Sequence, residues 1–376
     1  MAKRVKDKAE TKQVNLALQG GGSHGAFTWG VLDKLLEHGG IAIDAVSGTS
    51  AGAMNAVALA DGWLEGGPDG AREKLDTFWT EVGESGRFSP IQRTPWDVLW
   101  GNWSIQNSPS FIWYDAVSRI VSPYAANFFD LNPLRDVVER VIDFERVRAC
   151  ADLKVFVSAT NVQTGKLRVF QTEEITLDAV MASACLPHIF KAVEIGGVPY
   201  WDGGYGGNPA LFPFFYTTRT EDVMLVQINP IERRETPISA REIENRIDEI
   251  TFNAALLREF RAIAFVRKLI ADGKLSRDDY RDIRMHRIDA DEALKDLSAS
   301  SKVNAEPDFL VYLRDLGRAA AEDWLEENFD AVGKRPTLDL SGELEDGFGP
   351  VAAPRKMGAR VRAFMAERAK PKGAKG

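Results

Sequence analysis

Hydrophobic positions in the first part of the chain follow the pattern of strands that alternate with helices. The apolar run at residues 14–18 has the length of a buried strand, and residues 26–37 space their apolar side chains as an amphipathic helix does. A second strand at 45–47 leads into a helix at 51–60. This order predicts a largely parallel sheet with helices on its faces, and hence an α/β fold.

Later apolar stretches extend the predicted sheet. Residues 154–159 and 167–170 flank a Thr164-Gly165 turn and predict a hairpin, and residues 223–228 predict a buried strand that closes the sheet. The remaining predicted elements are helices that start at Asn132-Pro133, at 177 and at 319, and an edge strand at 283–288.

Beyond residue 230 the pattern becomes that of helices. Apolar side chains step by three or four positions and form a single stripe. The stripe consists of Ile243, Ile247, Ile250, Ala254, Leu257, Phe260 and Ala264. It predicts a helix that covers the sheet, with the contact face of a homodimer as the alternative.

Aromatic residues and prolines concentrate between residues 87 and 129, where no regular period holds. Four of the nine tryptophans lie in this insertion. Its aromatic residues include Trp96, Trp100, Trp103, Phe111, Trp113, Tyr114, Tyr124, Phe128 and Phe129. Two interpretations stay open. The insertion caps the core, or it forms a lid or lipid-facing wall, because amphipathic aromatic side chains suit membrane interfaces and apolar pockets.

The two ends of the chain are charged. Residues 1–13 predict a basic disordered tail. Residues 354–376 contain eight Arg or Lys and one Glu, which predicts a solvated tail or one drawn to an anionic surface. Between the ends we expect a main domain at 14–230 that includes the insertion, a mainly helical extension at 231–335, and a flexible basic tail at 336–376.

Composition narrows the classes of function. The 376 residues are 44% hydrophobic and 27% charged, and the net charge of −8 argues against a general nucleic-acid binder. With two cysteines, a disulfide framework is not indicated. The N-terminus lacks the apolar core of a signal peptide, and no run approaches the ~18 apolar residues of a membrane span. We expect a cytoplasmic protein that is soluble or peripheral at a membrane.

A Gly-x-Ser-x-Gly sequence at 48–52 is the first candidate for chemistry. It lies between a predicted strand and a predicted helix, where such a sequence forces the serine onto a sharp turn with its hydroxyl exposed. Gly48 and Gly52 fit that need, because a turn this tight brings two backbones together. Ser50 then starts a helix, whose free amides favour a developing alkoxide. Ordinary Gly/Ser turns also carry this motif.

A glycine loop precedes this motif. Gly20, Gly21 and Gly22 follow the first strand, and their amides can point one way, as an oxyanion hole requires. The spacing to Gly25 also fits a dinucleotide-binding loop, with Asp44 about 20 residues on as a ribose ligand. The serine turn after the next strand argues against a dinucleotide fold, as does the position of Asp44 at the start of that strand.

A third motif, Asp202-Gly203-Gly204, places a carboxylate at a predicted strand end, with two glycines that let another backbone approach. Together, Gly-Gly-Gly-x-x-Gly, Gly-x-Ser-x-Gly and Asp-Gly-Gly, in this order, resemble the patatin-like phospholipases. The resemblance extends to residues 182–187 and 207–209, and it covers roughly residues 14–230.

The resemblance implies a three-layer α/β/α fold and a serine acyl hydrolase that cleaves lipid carboxyl esters, of phospholipase A or lysophospholipase type. It implies Ser50 as nucleophile, Asp202 as base, and neither cofactor nor metal. The implied partners are a lipid or acyl-ester substrate and a lipid surface. The amides implied to hold the oxyanion are those of Gly20, Gly21, Gly22 and Ala51, with Gly25, Gly48, Gly52, Gly203 and Gly204 supporting the motifs.

Two requirements follow for this site. Aspartate is a poor base for an alcohol at its solution pKa of ~3.9, so Asp202 must be desolvated, as apolar neighbours such as Phe190 and Tyr200 suggest. The family usually has Arg or Lys where this chain has His24. We therefore expect the loop to act through its backbone and His24→Arg to leave activity largely intact.

Three alternatives stay open. The order Ser, Asp, His would suit a triad completed by His286, one of four histidines. Acyl transfer is the second, because the transacylase fold also uses a serine turn, although no histidine and arginine pair is evident near the turn here. The third is a noncatalytic lipid-binding protein.

Overall fold

A computed structural model describes residues 11–87, 89–118, 120–127, 130–233, 235–295, 297, 299–344 and 357–368. Its strands are β1 (Lys12–Leu18), β2 (Ile41–Gly48), β3 (Lys154–Asn161), β4 (Leu167–Gln171), β5 (Val193–Ile195), β6 (Val198–Asp202), β7 (Asp222–Val226) and β8 (Arg284–Ile288). Its helices are α1 (Gly25–His38), α2 (Ala51–Arg87), α3 (Pro95–Leu99), α4 (Pro109–Ser118), α5 (Pro123–Ala126), α6 (Pro133–Val141), α7 (Phe144–Ala149), α8 (Leu177–Ser183), α9 (Phe212–Thr217), α10 (Ala240–Ala271), α11 (Asp291–Lys295), α12 (Pro307–Asn328), α13 (Leu340–Leu344) and α14 (Ala359–Arg368).

One mixed sheet organises the molecule. Its strand order is β5-β6-β3-β2-β1-β7-β8, and β4 pairs with β3. The strands β3, β2, β1, β7 and β8 pair in parallel, whereas β4, β5 and β6 pair antiparallel. The central sheet is thus mostly parallel, as predicted, and the predicted hairpin is β3 with β4.

Helices cover both faces of the sheet. Leu16 and Leu18 in β1 face a core shared with α1, α2 and α12, whereas Ala17 between them faces a second core shared with α9 and α10. Successive side chains of a strand point to opposite faces, so each face of the sheet carries its own apolar layer. The three-layer α/β/α fold is therefore confirmed.

The strands of the sheet cover a longer part of the chain than the main domain predicted at 14–230. β1 begins at Lys12, inside the expected tail, because Lys12 pairs with Ile41 and its Nζ donates to the carbonyl of Phe329 at 2.7 Å. β8 joins the sheet at its edge beside β7, as predicted for an edge strand. The stretch at 231–335 therefore contributes a strand to the central sheet.

The apolar stripe on α10 has two different halves. Phe260 is fully buried and packs in the second core, as expected for a helix that covers the sheet. Ile243, Ile247 and Ile250 are instead about half exposed. Only the C-terminal half of the stripe is core.

The insertion contains three short helices, α3, α4 and α5. Trp103 packs against Phe309 and Tyr312 of α12, so this tryptophan belongs to the core. Trp96, Trp100 and Trp113 are 71%, 81% and 69% exposed. The interpretation as a cap on the core therefore holds for Trp103, whereas a lipid-facing role of the exposed tryptophans stays a prediction, and Phe128 and Phe129 lie outside the described residues.

The C-terminal stretch is only partly described. Residues 345–356 and 369–376, which include about half of the predicted basic tail, lie outside the described residues. Residues 359–368 form α14, whose buried Val361 packs in the first core, and Arg360 pairs with Asp323 and Glu326 of α12. A helix thus replaces part of the expected flexible tail, because Val361 is buried and Arg360 pairs with carboxylates of α12. In the described part of the chain, no helix is long and apolar enough to cross a membrane.

Candidate active site

Ser50 occupies a strained turn between β2 and α2. Its φ of 54° is in the left-handed region, which side chains other than glycine rarely adopt. A Cβ at Gly48 would clash with the backbone of Gly52, and one at Gly52 would clash with the carbonyl of Leu18. The two glycines therefore permit the close approach that the sequence predicts. The amide of Ser50 donates to Ser183 Oγ at 2.8 Å, a partner that the motif did not reveal.

Asp202 lies beside Ser50 at the end of β6. Its side chain is buried, and its Oδ1 accepts a hydrogen bond of 2.7 Å from the Gly204 amide. Burial raises the pKa of Asp202 to about 7, although hydrogen bonds from the Gly204 amide and the Ser50 hydroxyl act in the opposite direction. The predicted desolvation of Asp202 is confirmed. A Cβ at Gly203 would clash with the carbonyl of Ser158, so Gly203 has the expected close backbone neighbour.

The glycine loop offers fewer free amides than expected. The amide of Gly20 donates to Asn208 Oδ1 at 2.7 Å, so it cannot serve an oxyanion while this bond is made. The prediction for Gly20 is therefore wrong. In the described ranges, the amides of Gly21, Gly22 and Ala51 have no hydrogen-bond acceptor, and all three residues line one cavity with Ser50.

Three buried amide side chains hold the glycine loop in place. Gln19 Oε1 accepts hydrogen bonds of 3.0 Å from the amides of Ile228 and Asn229, and Asn229 Nδ2 donates to the carbonyl of Gly20 at 2.6 Å. Asn208 completes the set through the Gly20 amide. Asn208 was part of the resemblance, whereas Gln19 and Asn229 carried no signal in the sequence. Gly25 lies against Ala51, where a Cβ would stand 2.6 Å from the Ala51 Cβ.

A cavity of about 720 Å³ opens over Ser50 and Asp202. Most of its wall is apolar. The apolar lining residues are Met54, Phe78, Trp79, Val82, Pro90, Ile91, Tyr114, Pro133, Leu134, Val137, Ala184, Leu186, Ile189, Phe190, Phe252, Val303 and Ala305. The volume and lining suit a ligand with a long apolar part. Pro90, Ile91 and Tyr114 come from the insertion, which therefore forms part of the cavity wall.

None of the described histidines lines this cavity. His286 is buried, with Nε2 2.9 Å from Asp222 Oδ1 and Nδ1 3.1 Å from Thr337 Oγ1, so it does not complete a triad with Ser50. His24 Nε2 contacts Ser301 Oγ at 2.7 Å, and burial, with Lys302 and Arg233 nearby, lowers the pKa of His24 to about 3. His38 packs on Phe329, and His188 is exposed.

The position of His24 changes one expectation. Because the imidazole is buried and neutral, an arginine there would bring an uncompensated charge into the interior. We therefore expect His24→Arg to destabilise the fold, contrary to the sequence-based expectation. Asp44, the residue considered for ribose binding, accepts a hydrogen bond from the Arg219 amide outside the cavity. In the described part of the chain, no group of His, Cys, Asp and Glu could hold a metal ion.

Comparisons with known proteins bear on this arrangement. VipD from Legionella pneumophila is 15% identical, with a TM-score of 0.36 over 81% of this chain and 67% of that one. ExoU from Pseudomonas aeruginosa, in its complex with SpcU, is 17% identical, with a TM-score of 0.28 over 95% of this chain and 66% of that one. This chain thus spans about two thirds of those structures. TM-scores this low transfer no activity, and no curated protein matches the sequence.

The family model for patatin-like phospholipase matches residues 16–215, a stretch that contains all three sequence motifs and the Ser50 turn with Asp202 beside it. That match covers more than half of the chain. The protein therefore belongs to the patatin-like phospholipase family, a family of lipid acyl hydrolases.

Proposed function

We propose that this chain hydrolyses carboxyl esters of lipids through a dyad of Ser50 and Asp202. The observation that carries the proposal is that Ser50 and the buried carboxyl of Asp202, whose pKa burial raises to about 7, line one large apolar cavity together. A carboxylate whose pKa is about 7 is a far better acceptor for a serine proton than one in water.

The reaction proceeds through an acyl enzyme. Ser50 Oγ attacks the ester carbonyl carbon while its proton passes to Asp202. The bond from the carbonyl carbon to the alcohol oxygen then breaks, and Asp202 returns the proton to the leaving alcohol. Water repeats the sequence on the acyl enzyme, with Asp202 again taking the proton, and a fatty acid is released.

The amides of Gly21, Gly22 and Ala51 supply the oxyanion site in this proposal. Preorganised amides stabilise the negative charge that develops on the carbonyl oxygen, and each such donor is worth ~10²-fold or more in kcat. Gly20 contributes through its carbonyl, which holds the loop to Asn229.

The substrate is met at a lipid surface in this proposal. Trp96, Trp100 and Trp113, here called the exposed tryptophan group, lie on the insertion that also lines the cavity. Indole rings favour the interfacial region of a membrane, where the ring is buried and its N–H stays hydrated.

Hydrolysis of p-nitrophenyl esters of graded acyl length and of phospholipids tests the dyad. Ser50→Ala and Asp202→Asn should each lower kcat by ~10³-fold or more, because members of a catalytic unit fail together. Asp69→Asn is the matched control, since Asp69 is 96% exposed at its side chain. Full activity of folded Asp202→Asn would exclude the dyad, and inactivity of folded His286→Asn would favour the triad instead.

A further inference from the structure

Lys302 is a cation in the wall of the cavity, contributed by a short 3-10 helix at 299–303. Its Nζ donates to Asn229 Oδ1 at 2.9 Å. The same asparagine donates through Nδ2 to the carbonyl of Gly20, and the Lys302 backbone packs against Gly22. Lys302 therefore lies one side chain away from the glycine loop, although it is about 280 residues distant in the sequence.

Lys302 forms no ion pair with the described residues of the cavity wall. Among the described residues that line the cavity, Lys302 is the sole cation and Asp202 the sole carboxylate. Glu249, which lies nearby, is held by Arg233 at 2.7 and 2.8 Å and by Arg246 at 3.2 Å. Within the described ranges no carboxylate comes within ion-pairing distance of Lys302 Nζ.

Burial and local charge act on Lys302 in opposite directions. Burial lowers the pKa of Lys302, whereas Glu249 and Asp248 act to raise it. A cation in an apolar wall is costly unless an anion meets it, so an anionic ligand in this cavity gains from the contact. The imidazole of His24 in the glycine loop is neutral, so it offers no second positive charge to such a ligand.

We propose that the Lys302 ammonium binds the phosphate of a glycerophospholipid substrate, which makes Lys302 the residue that distinguishes phosphate-bearing esters from neutral ones in this cavity. This inference rests on the proposed ester hydrolysis at Ser50. A glycerophospholipid carries its phosphate only a few bonds from its ester carbonyls. Ser50 and Lys302 line the same cavity, so we infer that one molecule places an ester at Ser50 and its phosphate at Lys302 while the acyl chain lies against the apolar wall.

Two soluble substrates with the same short acyl chains test the inference. One is a glycerophospholipid and the other the corresponding diacylglycerol, both below the concentration at which they aggregate, so that no lipid surface is involved. Lys302→Met keeps the length of the side chain and removes its charge. The ratio of kcat/KM for the phospholipid to that for the diacylglycerol should fall by ~10-fold or more, the scale of a lost charged hydrogen bond.

Two control variants separate charge at the site from charge in general. Lys274→Met makes the same change at an exposed position outside the cavity, and it should leave the ratio unaltered. Lys302→Arg keeps the cation and should retain most of the preference. Thermal unfolding of each variant shows whether it is folded.

The outcomes distinguish the inference from the proposed function. If the wild type hydrolyses neither substrate, the proposed function fails and the inference with it. If it hydrolyses both but Lys302→Met slows them equally, Lys302 acts on the oxyanion or on the loop through Asn229, and the phosphate subsite is wrong. If kcat/KM of Lys302→Met falls for the phospholipid and not for the diacylglycerol, the phosphate subsite is supported.

Inhibition by inorganic phosphate tests whether Lys302 binds the phosphate of the substrate or a free phosphate ion at another site. It should inhibit hydrolysis of the diacylglycerol weakly and competitively, and the inhibition should vanish in Lys302→Met. Non-competitive inhibition would place phosphate at a regulatory site and overturn the assignment to substrate binding.

Discussion

Asp202 is buried, and its Oδ1 accepts a hydrogen bond from the Gly204 amide. Desolvation disfavours the ionised carboxylate, and two hydrogen bonds recover only part of that cost. The same burial that makes Asp202 basic enough to deprotonate Ser50 therefore destabilises the folded protein whenever Asp202 is ionised. Ionisation of Asp202 should therefore raise the activity and lower the stability of the folded protein.

We predict that kcat/KM for a neutral ester falls as the pH drops through about 7, because protonated Asp202 cannot accept the proton of Ser50. The pH dependence of stability has the opposite sign. The pKa of Asp202 in the folded protein, about 7, exceeds its usual value of 3.8. The contribution of neutral Asp202 to the free energy of unfolding is therefore complete below pH 3.8 and is lost as the pH rises through 7. Asp202→Asn should then be more stable than the wild type at pH 8, by on the order of 3 kcal/mol.

Urea unfolding at pH 8 and pH 5 checks this prediction. The excess stability of Asp202→Asn should shrink at pH 5, where the wild-type carboxyl is largely protonated. Asp69→Asn provides the exposed control. An Asp202→Asn variant that is less stable than the wild type at pH 8 would contradict the prediction.

The residues that sequence could identify are those whose chemistry is local. Ser50 and Asp202 stand in short motifs with glycines at fixed spacing, and the structure brings them together. Gly20 was assigned a free amide because its acceptor, Asn208, lies 188 residues away in sequence. Lys302 carried no motif at all. Contacts made by the tertiary fold alone leave no spacing to recognise.

At the scale of elements, the glycine loop and the 3-10 helix at 299–303 are packed backbone against backbone. Gly22 has a φ of 60°, and a Cβ there would clash with the Lys302 carbonyl. A Cβ at Gly21 would instead meet the Cδ1 of Ile228 at 2.9 Å, which is the end of a flexible side chain. The two glycines therefore differ in how much substitution they tolerate.

We predict that Gly22→Ala lowers kcat by ~10²-fold, because the loop must move and take an oxyanion donor with it. Gly21→Ala should cost clearly less, since Ile228 can adjust. Single-turnover acylation by a soluble p-nitrophenyl ester measures the step that uses these amides. Equal losses in the two variants would show that Lys302 does not constrain the loop.

Elements with a local period were predicted well, and those shaped by distant partners were not. The β3–β4 hairpin and α6, with its Asn132 cap, follow from turn and cap residues. The half-exposed stripe of α10 could not be foreseen, because periodicity tells which side chains share a helix face and not which part of that face the rest of the fold covers. α14 was likewise missed, since it depends on pairing of Arg360 with α12.

At the scale of the whole molecule, the insertion at 87–129 connects the exposed tryptophan group with the cavity, because it lines the cavity and exposes Trp96, Trp100 and Trp113. In the proposed function these rings insert into the lipid surface from which the substrate reaches Ser50. Removing residues 354–376 is a poor test of the basic tail, because it deletes α14 and its buried Val361. Removing 369–376 spares that helix.

We predict that Trp96→Ala combined with Trp100→Ala weakens binding to phosphatidylcholine vesicles by on the order of 10-fold, since each lost indole removes apolar area from the lipid contact. Vesicle flotation at low and high salt measures this, and the loss should be the same at both, because burial of apolar surface is not screened by ions. Turnover of a soluble short-chain ester should stay unchanged. Tyr216→Ala is the matched control, an aromatic residue 81% exposed on α9 outside the cavity wall. Removing residues 369–376 should instead weaken binding to anionic vesicles at low salt only. Wild-type protein that fails to float with either vesicle, or a double variant that hydrolyses vesicles and soluble esters in the wild-type ratio, would refute the role of these tryptophans.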